Sequence, residues 1–511
     1  MSIDINLIRT EKGGDPAKVA ESEKKRFKDL KTVDELIKLD KEWRVEKYKL
    51  DSLRRDYNTI NNQIADKKKA SKGKDPCEEE VKQIKEVEKN INAQSVIESN
   101  LLNEVNKLLR RIGNIVHESV PVSKDEKDNQ IIRTWGKPKE DWKIDSTLGN
   151  LHHHEVLQLL DGYDSERGTR IAGHRGFFLK NAGVLLNQAI INYGLNFLVQ
   201  RGYTAMQTPY FMKKSVMSET AQLSDFNEQL YKVEGEKDSE TMYLIATSEQ
   251  PISAYHYTEW LKESDLPLRY AGYSTCFRKE AGAHGKDLWG IFRIHQFEKI
   301  EQFCITAPEK SWEMHEEMIK NSEDFYQSLE LPYRVVNIVS GELNDSAAKK
   351  YDLEAWFPGY EAYRELVSCS NCTDYQSRGL DIRYGIKKSE EKRYVHMLNS
   401  TLCATERCMC CILENYQTKE GLRIPKVLVP YMNGVEFIPF KPNLVEAFLE
   451  ESKVGDPKDK QKSKKQKKKE EKKDEKKDEK KEAEDKELKE AKEPEEKIKE
   501  VEVTEDKPKE G

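Results

Sequence analysis

No run of this 511-residue chain approaches the roughly 20 consecutive apolar residues that a bilayer span requires. The opening stretch, MSIDINLIRTEKGGDP, lacks the basic-then-apolar order of a signal peptide and carries acids that a transit peptide avoids. A chain of the cytoplasm, without membrane association, is therefore expected. The nine cysteines are irregularly spaced, which speaks against a disulfide framework and for reduced thiols. No segment repeats at solenoid spacing, and no regular alternation of strand and helix argues for a doubly wound sheet. The sequence GAHGKD is not followed by the Gly-Lys-Ser/Thr of a phosphate-binding loop. From Lys453 onward there is no aromatic residue at all.

Charge is what the chain has in quantity. Charged residues make up 35% and hydrophobic residues 36%, the balance of a soluble core with charged appendages. The net charge of -6 conceals an uneven distribution: the last 59 residues hold 22 Lys and 21 Asp or Glu, and the rest carries a net of -7. A polyanion would have to bind local basic patches. The length predicts two or three domains.

From Leu36 a heptad sets in. Positions 36, 39, 43, 46, 50, 53, 57, 60 and 64 are apolar except Glu46; positions 84, 87, 91, 94, 98, 101, 105, 108, 112 and 115 are apolar except Gln94 and Glu98. Two stripes of similar length predict an antiparallel coiled-coil hairpin. Between them KKKASKGKDPCEEE, with Lys67, Lys68, Lys69, Lys72, Lys74, Gly73 and Pro76, reads as the tip. The polar face carries Lys38, Lys41, Arg44, Lys47, Arg54 and Arg55, a pattern open to a solvated exterior or to a nucleic-acid contact. The expected organisation is a lead-in over 1–26 within a hairpin domain 1–120, a linker 121–133, a globular domain 134–450 and a disordered Lys/Glu-rich tail 451–511. In the globular part, a helical stripe at 184–199 accompanies strand-like runs at 203–207, 242–245, 268–277, 291–305 and 333–339. The fold class expected is α+β, an antiparallel sheet with flanking helices.

The segment 270–306 concentrates the chemistry. Arg278, Glu280, Arg293, Phe297 and Glu301 fall at even spacing in two alternating runs, so a hairpin would place them over one surface. Guanidinium groups suit phosphate, a ring suits a base, and carboxylates suit amines. His295 lies between Arg293 and Phe297 and should face away from them. Cys369 and Cys372 form a CxxC, but Cys403, Cys408, Cys410 and Cys411 crowd onto one helix rather than forming a second zinc knuckle, so no zinc is expected. His152, His153 and His154 read as a surface loop rather than a metal tract.

These stretches resemble a known family. CFRKEAGAHGKDLWGIFRIHQFEKIEQF resembles motif 2 of the class II aminoacyl-tRNA synthetases, of the seryl-tRNA synthetase family, eukaryotic cytosolic type. RGYTAMQTPYFM, with Pro209, resembles motif 1; TSEQP resembles the serine-binding loop; MLNSTLCATER resembles motif 3; and RELVSCSNCTDYQSRGL resembles the ATP and metal strand. The resemblance covers about residues 1–450 and implies a class II catalytic domain behind a tRNA-binding arm.

The implied activity joins L-serine to the 3′ end of tRNA(Ser), and of tRNA(Sec), through seryl-adenylate. Implied ATP contacts are Arg278, Lys279, Glu280, Arg293, Ile294, His295, Gln296, Phe297, Glu365, Leu366, Val367, Ser368 and Arg407. Glu280 would accept from adenine or fix Arg278; Arg407 would cover adenine opposite Phe297. Glu365 and Ser368 would hold Mg²⁺. Serine would meet Thr247, Ser248, Glu249, Arg278, Glu301, Asn399 and Thr401, with Arg278, Glu280 and Arg407 as the catalytic set. The family further implies a homodimer built on motif 1 and recognition of tRNA by the arm. The connector 281–289, with Lys286, would be a hairpin tip meeting the acceptor end. The Lys-rich block 458–469 leaves a nuclear address, an RNA contact or neither open. Rival readings are a non-catalytic RNA-binding paralogue, which would be expected to lose the polar set from Thr247 to Arg407, and a coiled-coil scaffold with no nucleotide dependence.

Overall fold

The computed structural model of the chain describes residues 1–138, 148, 150–221, 225–235, 240–280, 289–386 and 393–453. The connector residues 281–288, with Lys286, and the charged segment 454–511, with the block 458–469, lie outside the described residues.

A short helix, α1 (Pro16–Lys25), starts with Pro16 at its first position and Asp15 accepting from the N–H groups of Ala17 and Lys18. Two long helices follow, α2 (Lys31–Ala70) and α3 (Glu78–Leu109), packed along their length as the heptads predict. Forty residues give α2 a length of ~60 Å. The polar exceptions in the two stripes meet across the seam: Gln94 donates to Glu46 at 2.7 Å, and the Trp43 indole donates to Glu98 at 2.9 Å. Polar pairs in an apolar seam fix register at a cost in stability.

Three details differ from the sequence reading. Lys67, Lys68 and Lys69 belong to the last turn of α2, because the turn itself begins only at Ser71. The second helix stops at Leu109, so Ile112 and Ile115 lie beyond it. Ile112 is nonetheless fully buried, in a cluster with Met1, Ile3, Ile8, Val19, Leu36 and Tyr375. The first 26 residues are thus more than a lead-in. They form the apolar base of the hairpin, and the Arg26 guanidinium donates to the carbonyls of Asn114, Asn344 and Ala347.

The body is built on one eight-stranded sheet. In chain order its parts are β1 (Gln130–Trp135), α4 (His153–Leu159), α5 (Asn181–Val199), β2 (Thr204–Gln207), α6 (Glu249–Ser253), β3 (Leu268–Phe277), β4 (Gln296–Thr306), α7 (Ser311–Ser328), β5 (Tyr333–Asn337), β6 (Lys349–Phe357), β7 (Ala362–Asn371), β8 (His396–Ala404) and α8 (Thr405–Tyr416). Strand order is β1-β5-β6-β7-β8-β4-β3-β2. All neighbours are antiparallel except β2, which runs parallel to β3. The edge strand β1 starts within the stretch read as a linker. The strand expected over 291–305 begins only at Gln296, since Ile291, Phe292 and Ile294 are all buried and the alternation a half-buried strand needs is absent there. Helix α5 is long and apolar enough to match a membrane span by length and composition, although Asn187, Gln188, Asn192 and Asn196 interrupt its apolar residues; half of its apolar window is buried, and Leu186, Ile190, Phe197 and Leu198 belong to the core. Residues from Pro442 onward form a separate unit containing one described helix, Pro442–Lys453.

Candidate functional site

The site is assembled on one face of β4 and on the strands beside it. Phe297, Lys299 and Glu301 alternate onto that face. Arg278 follows the end of β3, in register with His295 through its backbone N–H. Across the sheet, a bulge opposite Leu353 and Glu354 breaks the pleat of β7. It lets Glu365 and Ser368, three residues apart, face the same cavity as Leu366. Arg407, in the first turn of α8, closes the far side.

This cavity unites Arg278, Glu280, Arg293, Ile294, Phe297, Lys299, Glu365, Leu366, Ser368, Thr401 and Arg407. The Arg278 guanidinium lies 5.2 Å from the centre of the Phe297 ring and donates to the Ala246 carbonyl at 3.3 Å. Glu280 does not fix Arg278. It accepts instead from Arg293 at 2.6 Å, because its left-handed backbone (φ 49°) turns the chain away from Arg278. Arg407 rests over Phe292 at 4.9 Å and donates to the Glu365 carbonyl at 3.2 Å, with the Glu365 carboxylate at 3.7 Å. Burial pushes the Glu365 carboxyl up, but Arg407, Lys350, Arg278 and Lys299 outweigh it and hold it below the usual range. On the adjacent strand Asp352, opposite Ser368, is pushed up to about 7, first by burial and then by Glu365, against the pull of Lys350.

A second group of side chains adjoins this cavity. Glu301, only 3% exposed, forms an ion pair with Lys299 and accepts from Thr401 at 3.2 Å and Thr247 at 3.4 Å. Beside it, Glu249 Oε1 accepts from Gln376 at 2.8 Å and from Asn399 at 2.9 Å. Burial raises the Glu249 carboxyl to about 7, with the Glu301 charge adding to the effect. The result is a cationic compartment containing an aromatic ring, set against a compartment lined by carboxylates, amides and hydroxyls. Such a pairing can hold a polyphosphate on one side and an ammonium-bearing monomer on the other.

Five of the residues assigned to the site point elsewhere. His295 and Gln296 line a separate cavity behind the sheet, and the His295 ring donates to the Arg278 carbonyl at 3.0 Å. Val367 is fully buried, opposite Leu353. The Lys279 backbone pairs with Gln229, and its side chain is not among the cavity's walls. Ser248 is likewise buried, its hydroxyl donating to the Gly272 carbonyl at 3.5 Å.

Lys299, Gln376 and Asp352 were missed. Lys299 could have been found, since it stands midway between Phe297 and Glu301 at the same even spacing. Gln376 and Asp352 carry no local signal; long-range packing alone brings them to the site. The three histidines are not a surface loop. His152 and His153 are buried at the start of α4, where His153 Nδ1 meets Glu414 at 3.2 Å and Nε2 meets the Trp289 carbonyl at 3.2 Å. All nine cysteines are free and buried; burial raises the Cys369 and Cys372 thiols.

Residues 2–116 match the family model of the seryl-tRNA synthetase N-terminal domain, and residues 231–416 that of the tRNA synthetase class II core domain (G, H, P, S and T). The chain is 58% identical over 442 residues to the cytoplasmic serine–tRNA ligase of Dictyostelium discoideum, covering 86% of this chain and 95% of that one. It is 56% identical over 451 residues to the cytoplasmic serine–tRNA ligase of Arabidopsis thaliana, covering 87% and 98%. Among solved structures, the cytoplasmic serine–tRNA ligase of Naegleria fowleri in complex with AMP is similar with a TM-score of 0.76 at 50% identity, over 86% of this chain and 99% of that one. The seryl-tRNA synthetase of Pyrococcus horikoshii complexed with ATP is similar with a TM-score of 0.76 at 42% identity, over 86% and 100%.

Proposed function

This chain belongs to the seryl-tRNA synthetase family, and we propose that it activates L-serine with ATP and transfers the seryl group to the 3′ end of tRNA(Ser). It is an ATP-dependent ligase with a class II core. The observation that carries the reading is the direct contact of the two compartments: Lys299 and Glu301, two residues apart on β4, are ion-paired at their boundary.

In the first step a serine carboxylate oxygen attacks the α-phosphorus of ATP. The bond to the β-phosphate bridge breaks, giving seryl-adenylate and pyrophosphate. This step needs alignment and charge compensation rather than a protein nucleophile. Arg278 and Lys299 offset charge at the reacting phosphate and carboxylate, Phe297 takes the base, and Arg407 and Arg293 take the outer phosphates. In the second step the terminal hydroxyl of tRNA attacks the seryl carbonyl, and AMP leaves. Mg²⁺ would neutralise phosphate charge during activation. Glu365 and Ser368, with Asp352 one strand away, supply hard oxygen donors suited to it. Among the described residues no cluster of three His, Cys, Asp or Glu side chains could hold a metal, so the nucleotide and water would complete the shell.

Serine selection rests on the second compartment. Glu249 Oε1 already accepts from two amides, which leaves Oε2 for the ammonium group. Glu301, with Thr247 and Thr401, offers partners to the hydroxyl. A substrate without that hydroxyl leaves a buried polar group unpaired, at about 1–3 kcal/mol per group. Serine-dependent exchange of pyrophosphate into ATP tests the assignment: exchange with serine is the expected result, and exchange with threonine, proline or alanine in its place overturns it.

The α2–α3 hairpin is proposed to bind the tRNA backbone, and the exposed apolar residues Val184, Leu185 and Val199 of α5 to form a homodimer contact. Charging of tRNA(Sec) belongs to the same proposal, as do the domain bounds 1–120, 121–133, 134–450 and 451–511. Relatives named as cytoplasmic support a cytoplasmic location. A nuclear fraction would require the block 458–469, and comparing the location of the full chain with that of a chain lacking residues 454–511 tests it.

A further inference from the structure

Where the catalytic floor meets the cavity behind it, the carboxyl groups of two glutamates hydrogen-bond to each other. Glu406, 3% exposed, accepts from the Glu298 backbone N–H at 3.0 Å and from the Thr405 hydroxyl at 3.1 Å. Glu298 accepts from the Asn187 amide at 3.1 Å, and its carboxyl meets that of Glu406. Two ionised carboxylates can only accept, so a hydrogen bond between them requires that one carry a proton. Burial pushes the Glu406 carboxyl well above the usual range, and the neighbouring Glu298 adds to this; the backbone N–H groups of Glu298 on β4 and of Glu406 itself pull the other way without reversing it.

Three elements pack around the pair. β3 contributes Tyr273, whose hydroxyl is itself pushed up by burial and then by Glu298. Helix α8 contributes Cys410, pushed well above its usual range by burial and then by Glu414 and Glu406. Helix α5 contributes only the neutral Asn187. Arg407 turns toward Glu365 on the opposite side. Arg175, Tyr231 and His295 line the adjoining cavity of about 520 Å³.

The position of the pair in the chain gives it a role. Glu298 directly follows Phe297, and Glu406 directly precedes Arg407. We propose that Glu298 and Glu406 form a positioning pair sharing one proton, and that this singly charged bridge ties β4 to the first turn of α8 so that Phe297 and Arg407 stay at the separation ATP requires. The proposal rests on the assignment of Phe297 and Arg407 to ATP. Loss of the shared proton at alkaline pH sets two negative charges against each other and drives the two elements apart, loosening the nucleotide site while leaving the Glu249 and Glu301 compartment intact.

The experiment compares the full-length wild-type chain with Glu406→Gln and Glu298→Gln between pH 6.5 and 9.5. An amide at either position supplies the donor permanently. Exchange assays give KM for ATP and for serine, and calorimetry gives ATP affinity in the absence of serine. Wild type should lose ATP affinity on the order of tenfold relative to Glu406→Gln along the alkaline limb, a comparison in which titration of the substrates cancels. The wild-type to variant ratio of serine KM should stay within about twofold. Glu298→Gln should flatten the profile in the same way, which protects the test if one variant folds poorly. Parallel wild-type and Glu406→Gln profiles overturn the positioning pair, as would an equal loss of ATP and serine affinity. A wild-type chain that binds ATP with this pH profile but never exchanges with serine would instead overturn the assigned reaction.

Discussion

The hairpin and the catalytic floor are both dense in charge, and they use it in opposite ways. On the outer faces of α2 and α3 several ion pairs are local and wet: Lys49 with Glu46, Lys107 with Glu104, and Lys38 with Glu42, with lysines 56%, 70% and 81% exposed. On the floor, Lys299 and Glu301 are 9% and 4% exposed. An exposed pair contributes up to about 1 kcal/mol and tolerates replacement. A buried pair contributes little net stability, yet removing one partner costs about 3–5 kcal/mol because the other charge is stranded. On the proposed role of the arm in binding RNA, its charge can therefore vary as long as the sum attracts RNA, whereas charge on the floor is fixed one residue at a time.

The sharpest way to break this contrast is at Arg278. Arg278→Ala should reduce serine-dependent pyrophosphate exchange by about 10²–10³-fold, the cost of removing one aligned donor from a developing charge. Deleting the hairpin across residues 40–105 should do the reverse, abolishing charging of tRNA(Ser) with exchange largely kept. If the deletion retains tRNA charging, the arm has no part in recognition. Lys299→Ala comes next. It strands Glu301 and should lower stability by about 3–5 kcal/mol in a denaturant titration. Lys299→Ala/Glu301→Gln should recover most of that loss, and a double variant no more stable than the single one would mean that the pair is not the source.

How much of this was legible depended on what each residue packs against. The heptads read correctly because one side of each helix faces water, so burial follows the 3.6-residue period with little interference. They failed at Ile112, where the chain has left α3 and the apolar residue serves the hairpin base instead. Strands β3 and β5 were legible from β-rich runs. The start of β4 was not, because Ile291, Phe292 and Ile294 fill the core from an irregular segment whose pattern imitates a strand. Within the site, Arg278, Phe297, Glu301 and Arg407 came from motif and spacing together. His295, Gln296 and Val367 were drawn in by sequence adjacency, yet the pleat sends them to the other face. Glu365 and Ser368 succeed against simple alternation only because of the bulge in β7.

Glu249 sharpens the comparison through pH. Burial raises its carboxyl to about 7, so it is neutral in acid and ionised above neutrality. Only the ionised form attracts the serine ammonium group, and serine binding below pH 7 must therefore release a proton. KM for serine should fall by about tenfold from pH 6 to pH 8 and then level off. The free protein shows the opposite trend. A carboxyl raised above its unfolded value contributes stability that is present below the unfolded pKa and lost as pH rises through 7. Serine should consequently raise the melting temperature more at pH 8 than at pH 6. Glu249→Gln should remove both dependences; a variant that keeps the wild-type pH profile would place the titration elsewhere.

The smallest effect is expected on the arm, and it completes the contrast. Lys49 is 56% exposed and pairs with Glu46 three residues away, a geometry worth about 0.3–0.5 kcal/mol. Lys49→Ala should change stability by no more than that, and the change should vanish at high salt, where exposed charges are screened. Glu46 is the informative neighbour, since it also accepts from Gln94 across the seam at 2.7 Å. Glu46→Ala removes a partner that a half-buried amide depends on, so it should cost about 1 kcal/mol more than Lys49→Ala and keep that cost in salt. Equal, salt-sensitive losses from both variants would show that the seam is as wet as the outer face, and the distinction between arm and floor would then begin at the hairpin's base rather than at its seam.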